Sequence, residues 1–231
     1  MDSFSTFWNS LDWSILTNML LSVIPALLCI TVHELSHGFA AHLLGDDTAN
    51  NAGRLTLNQI KHIDIMGLLM MVVFRFGWAK PVPIQMRNFK KPKRDMAISA
   101  LAGPVSNVIL CCLALAVYGA VFYPLMYSSF KYTNAVLELI MTTAYLSAAL
   151  AVFNIIPISP LDGSKVLFAF LPERHYYRLM YIERYGMIIL FALVFVLNRV
   201  SMNPLSMVTS WVFDKFFNIA LWCADIVWKL M

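Results

Sequence analysis

The sequence predicts an all-α polytopic membrane protein with about five transmembrane helices and a short re-entrant or interfacial β element after the first. Three observations carry this. Of 231 residues 60% are apolar and 13% are charged, where soluble domains run near 45–50% and 25%; the mean hydropathy is +0.69. A spanning helix needs about 20 mostly apolar residues, and stretches of that kind lie at 14–44, 96–127, 134–156, 178–200 and 205–228. No Gly/Ser-rich linker or internal repeat divides the chain, so residues 1–231 read as one membrane domain.

In chain order, the opening MDSFSTFWNSLDW holds Asp2 and Asp12 and neither Lys nor Arg. It therefore lacks the basic flank of a cleavable signal peptide, and the first helix is expected to stay. Residues 54–94 then carry nine Lys/Arg against one acid, Asp64, for a net of +8. Loops rich in Lys and Arg stay on the cytoplasmic side. This loop is accordingly expected in the cytoplasm, with the N-terminus outside and the end of the first helix, Leu44–Gly45, on the cytoplasmic side. The basic run is read as topological, and no nucleic-acid partner is expected. Within it, RLTLN (54–58) alternates polar and apolar as a short strand does. The stretch IMGLLMMVVFRFGWA (65–79) is too short and interrupted to span. Together they predict the β element, which would hold an extended peptide by edge pairing.

The second membrane segment contains LAGPVSN (101–107). Its small residues allow close helix approach and its proline bends the helix; Gly103 and Pro104 are read as packing elements, and Asn107 as an interhelical hydrogen-bonding residue, with a place facing the site as its alternative. After the third segment, FNIIPISPLDGSKVLF (153–168) interrupts the apolar pattern, because Pro157, Pro160 and Gly163 all oppose a regular helix. Irregular backbone at membrane depth is tolerated where it lines a cavity or is buried in protein. The last segment is interrupted by Asp214, Lys215 and Asp225. Cys29, Cys111, Cys112 and Cys223 show no ligand spacing and are read as small apolar packing residues.

The first segment holds the main chemical signal, TVHELSHGFAAH (31–42). Ionisable groups inside a membrane are costly and mark function by default. His33 and His37 are four residues apart and share one helix face, with Glu34 about 60° from His37. HExxH on a helix lets two imidazoles bind one zinc ion with a carboxylate beside the open position. His42 is nine residues after His33 and nearly opposite on the helix, so it is read as an interface or packing residue. His37 lies eight residues before Gly45, which places the site about 12 Å inside the cytoplasmic end. A catalytic zinc site takes three protein ligands and one open position. Asp162, the carboxylate in the chain break, is the candidate for the third; its competing role is a helix N-cap before Gly163-Ser164-Lys165.

These residues carry a resemblance. HELSH in a first membrane helix, AGRLTLN followed by KHID, GWAKPVP, LAGPVSN and FNIIPISPLDG, in order over about residues 25–190, resemble the site-2 protease family of intramembrane zinc metalloproteases, in its compact form without PDZ or CBS domains. The resemblance implies one Zn2+ per chain held by His33, His37 and Asp162, Glu34 as catalytic base, and Asn154 as a substrate- or oxyanion-contacting group. The catalytic core would cover about residues 14–170. Compact members are expected to have a proline after the asparagine of RLTLN and another after KHID; Gln59 and Ile65 stand there. These departures touch the loop and bear on substrate preference, while the metal motif is whole.

The expected function is an intramembrane zinc endopeptidase, multi-pass in a cell membrane of prokaryotic type, with its active site towards the cytoplasm. Its partners would be the lipid bilayer and a transmembrane protein or signal-peptide substrate. The competing class is a zinc transporter or metal-sensing membrane protein using the same ligands, which would be expected to offer several ligand clusters along a path.

Overall fold

The computed structural model describes residues 13–64, 67, 80–172, 185, 186, 188, 190, 192 and 204–231. The α-helices with described bounds are α1 (Trp13–Leu43), α2 (Thr48–Asn51), α3 (Pro92–Met126), α4 (Thr133–Asn154), α5 (Asp162–Ala169) and α6 (Pro204–Leu230), with 3-10 turns at Gln59–Lys61 and Met86–Asn88. Three of them, α1 over Val23–Leu43, α3 and α4, are long and apolar enough to cross a membrane. The hydropathy expectation for 178–200 falls almost wholly outside the described residues.

Local chemistry accounts for the helix ends. Gly45 adopts φ +102°, the left-handed conformation glycine takes without strain, and its N–H donates to the His42 carbonyl at 3.0 Å. The last helical residue of α1 is thus Leu43, six residues after His37, or about 9 Å. This is slightly shallower than the spacing to Gly45 suggests. Pro92 opens α3 where its missing N–H costs nothing, and Asp95 in the first turn accepts the Lys91 N–H at 2.9 Å.

Helix α3 is the axis of the bundle and touches α1, α4, α5 and α6. The core gathers Cys111, Ala114 and Leu115 of α3, Ala144 and Ala148 of α4, and Ala220 of α6, with Tyr118, Phe213 and Phe217 packed around them. Small residues dominate, as close helix approach requires. At Gly119 a Cβ would lie 2.1 Å from the Ala220 carbonyl oxygen, so only glycine permits the α3–α6 crossing. Cysteine acts here as packing: Cys29 and Cys111 are fully buried, and Cys29 Sγ lies 3.1 Å from Ser147 Oγ. Phe213 meets Tyr145 of α4, and Trp228 meets Tyr123 of α3, with ring centroids 5.3 and 5.0 Å apart. Helix α6 therefore runs parallel to α3 and antiparallel to α4, and Pro204 lies at the end of the bundle where α4 gives way to α5.

Among the described residues there is no sheet, and 54–58 is a bend where alternation predicts a strand. The cause is local side-chain bonding that competes with ladder pairing. Asn58 Oδ1 accepts the Ile60 N–H at 3.1 Å and Thr56 Oγ1 accepts the Asn58 N–H at 3.1 Å, while the buried Arg54 turns inward. The rest of the expected β element, 65–79, lies outside the described residues except Gly67.

Two buried polar residues tie the loop to the end of α1. Asp46, fully buried, accepts the Gln85 N–H at 2.6 Å, Asn88 Nδ2 at 2.7 Å, and the Thr48 N–H and hydroxyl. The guanidinium of Arg54 donates to the carbonyls of Lys61, Lys80 and Pro81. Burial by itself raises the Asp46 pKa, but the bonds from Thr48, Asn88 and Gln85 outweigh it and hold the carboxyl below its usual range. A carboxylate lowered in the folded state contributes stability above its unfolded pKa of about 3.9 and loses it as pH falls towards the folded value. Asp46→Ala is expected to destabilise the protein by about 1–3 kcal/mol at neutral pH, through buried donors left unpaired. Thermal unfolding in detergent should show that penalty unchanged down to about pH 4 and shrinking only below it.

Candidate metal centre

The HExxH spacing does what helical geometry requires: His33 and His37 project from one face of α1, their ring planes at 89° with centroids 4.5 Å apart. The chain break brings up the third group. Helix α4 ends at Asn154 and α5 begins at Asp162, and Gly163 lets the first turn of α5 settle on the carbonyls of Ile155 and Ile156. A Cβ there would lie 2.1 Å from the Ile155 oxygen. Asp162 makes no capping bond, since the N-cap position belongs to Leu161. Its Oδ2 lies 3.1 Å from Nε2 of both histidines, whose Nε2 atoms are 3.0 Å apart. All three residues are buried.

Their donor atoms form a triangle that fits a zinc ion. Bonds of about 2.0–2.1 Å at tetrahedral angles separate ligand atoms by roughly 3.3 Å, a few tenths of an ångström wider than the edges observed. Two imidazoles and one carboxylate suit zinc and leave a fourth position open.

Around the triangle, α3 supplies a face at four-residue steps, Ser99, Gly103 and Asn107. Nδ1–H of His37 donates to the Ser99 carbonyl at 2.8 Å, and the Ser99 hydroxyl donates to the His37 carbonyl at 3.0 Å. A carbonyl can only accept, so the neutral His37 ring carries its hydrogen on Nδ1 and presents the Nε2 lone pair to the centre. Gly103 leaves the room for both rings: a Cβ there would lie 2.5 Å from His37 Nε2 and 2.6 Å from His33 Cε1. Asn107 is fully buried, with its amide 3.1 Å from His33 Nδ1. The interhelical bond expected of it is therefore a bond to a site histidine.

A cleft of about 180 Å³ opens on the triangle and is also lined by Glu34, Val82, Asn154 and Lys165. Glu34 Oε2 accepts the Val82 N–H at 3.0 Å, so the loop pinned by Arg54 and Asp46 also orients this carboxylate. Asn154 Nδ2 donates to the Leu150 carbonyl at 3.0 Å, keeping the amide beside its own helix at the cleft wall. Lys165 Nζ stands 3.5 Å from Asp162 Oδ1. His42 stays apart, with Nδ1 2.5 Å from Asp47 Oδ1 at the surface. Sequence reasoning brought His33, Glu34, His37, Asn154 and Asp162 to one place. It missed Ser99, Val82 and Lys165, and took Gly103 for ordinary packing; the spacing of Ser99, Gly103 and Asn107 was the available signal of a shared face.

The model of peptidase family M50 matches residues 21–197. The Bacillus subtilis (strain 168) protein named "Putative zinc metalloprotease YwhC" is 35% identical over 171 residues, 74% of this chain and 78% of its own length. Two proteins named Rip2 in the same style are more distant. That of Mycolicibacterium smegmatis is 30% identical over 141 residues, 59% of this chain and 52% of its own. That of Mycobacterium tuberculosis is 29% identical over 146 residues, 61% and 53%. The chain thus spans about half the length of the Rip2 proteins. No solved structure matches it. The family match covers well over half of the chain and the YwhC match most of both lengths, so the chain belongs to peptidase family M50, the site-2 protease family of zinc metalloendopeptidases.

Proposed function

We propose that this multi-pass membrane protein hydrolyses peptide bonds of other membrane proteins within or near their transmembrane segments, with His33, His37 and Asp162 as zinc ligands and Glu34 as general base. The observation that carries the reading is the meeting of His33 Nε2, His37 Nε2 and Asp162 Oδ2 within 3.1 Å, on a cleft that Glu34 also lines. Zinc, when bound, acidifies a water and polarises the scissile carbonyl, so no protein nucleophile is needed. Glu34 takes the water proton and hands it to the leaving amine. The Val82 N–H engages Oε2 and leaves Oε1 for that transfer. Asn154 and Lys165 are the side-chain donors on the cleft available to a developing oxyanion, provided the Asn154 amide turns from the Leu150 carbonyl. A zinc transporter would need several ligand clusters, and among the described residues His33, His37 and Asp162 are the one such group.

The basic loop before α3 and the aromatic group at its far end support an orientation. Tyr123, Tyr127 and Trp228 stack with centroids 5.0–6.5 Å apart, as residues of an interfacial belt do, while Lys90, Lys91, Lys93 and Arg94 lie at the opposite end. On this reading α1, α3 and α4 cross the bilayer, α6 makes a further crossing with its C-terminal end outside, and the zinc ligands lie towards the cytoplasm. The substrate is a transmembrane protein or signal peptide, admitted to the cleft beside residues 80–84.

Glu34→Gln is expected to keep zinc and lose cleavage by about 10²-fold or more, whereas Asp162→Ala should lose zinc itself. Zinc content of the purified variants and cleavage in reconstituted membranes, on a membrane protein that accumulates uncut in Glu34→Gln cells, check both. Full cleavage by Glu34→Gln would overturn the mechanism, and undiminished zinc in Asp162→Ala would overturn the ligand set. For the orientation, a reporter fused near Lys91 should behave as cytoplasmic and one near Ser129 as external; the reverse pattern would invert the topology.

A further inference from the structure

We propose that Asn107 is a positioning residue that accepts the hydrogen of His33 Nδ1 through its amide oxygen and thereby holds the His33 Nε2 lone pair on the metal position. The inference rests on the ligand assignment proposed above. The two histidines are treated differently by α3. The partner of His37 is the Ser99 carbonyl, which can only accept and so settles the tautomer. The partner of His33 is a side-chain amide, which presents either a donor or an acceptor depending on which way it is turned. The oxygen and nitrogen of an amide are nearly indistinguishable in shape, so the hydrogen-bond network has to assign them.

With Asn107 Nδ2 at 3.1 Å from His33 Nδ1, the amide oxygen is buried without a partner. That arrangement would make Nδ1 an acceptor and put the ring hydrogen of a neutral His33 on Nε2, aimed at His37 Nε2 and Asp162 Oδ2. Such a ring cannot bind a metal through Nε2. Turning the amide over resolves the tautomer conflict: the oxygen receives Nδ1–H, Nε2 is left bare, and the amide nitrogen takes the position without a partner. A ligating histidine commonly donates its other N–H to an oxygen in this way. The bond is available because Gly103 holds α3 close enough, and because Ser99 and Asn107, eight residues apart, lie on the same helix face.

The test uses the full chain in detergent and measures zinc affinity by competition with a chelator, for wild type, Asn107→Asp, Asn107→Leu and His33→Ala. Aspartate has the shape of asparagine and accepts without donating, so Asn107→Asp should bind zinc within a few-fold of wild type or more tightly. Asn107→Leu should lose about 10–100-fold in affinity, the usual scale for removing such a partner. A role as amide donor predicts that Asn107→Asp binds as poorly as Asn107→Leu, and a role as mere packing predicts near wild-type affinity in the similarly sized Asn107→Leu; either result would overturn the proposal. Should Asn107→Leu not fold, the comparison of Asn107→Asp with wild type decides alone. Wild-type affinity in His33→Ala would instead remove the ligand assignment on which the proposal stands.

Discussion

Two imidazole nitrogens of α1 and a carboxylate oxygen 129 residues away meet within 3.1 Å in a buried setting, and most of the surrounding architecture serves that meeting. Ionisable groups are costly to remove from water unless they are paired or coordinate a metal. The pairing needs three backbones close together, and glycine provides the room twice. Gly103 lets α3 lie against both rings, and Gly163 lets the first turn of α5 rest on the carbonyls that end α4. A methyl group at the first position would push α3 off the histidine rings, and one at the second would lift the first turn of α5 from the end of α4.

The same economy governs the loop between α1 and α3. Asp46 gathers the Gln85 N–H and the Asn88 amide at the foot of α1, and Arg54 gathers the Lys61, Lys80 and Pro81 carbonyls. Between those anchors Val82 reaches the Glu34 carboxylate. A segment with no regular secondary structure is thus held by side-chain hydrogen bonds to backbone, which satisfy the polar groups an irregular chain leaves open. The side chain proposed to move protons in zinc metalloprotease chemistry is oriented by a loop, while the groups proposed to bind zinc stand on helices. That division suits the two tasks: a metal site needs fixed ligand geometry, and substrate has to pass the loop.

The resemblance read from the motifs, over about residues 25–190, and the match to peptidase family M50, over residues 21–197, cover the same part of the chain. The departures at Gln59 and Ile65 fall in the loop, away from the metal triangle. Gln59 opens the 3-10 turn that Asn58 caps, so the bend at 54–58 is made by Thr56 and Asn58 without the proline expected there.

The sequence by itself determined the membrane class, the helices around the site, the break before Asp162, and the pairing of His33 with His37. Each follows from composition, from the length of apolar runs, or from the 3.6-residue period, all of which are local. Only the tertiary structure decided what depends on contacts between distant segments. Asp162 could have capped its own helix, and packing on Ile155 and Ile156 turns it to the histidines instead. The alternation of RLTLN suggested a strand, but Thr56, Asn58 and the inward Arg54 use their hydrogen-bonding capacity against it. Gly103 looked like packing, and Asn107 like a hydrogen bond with no named partner, until α1 lay across them, because a residue's partner across a helix interface has no trace in its own sequence neighbourhood.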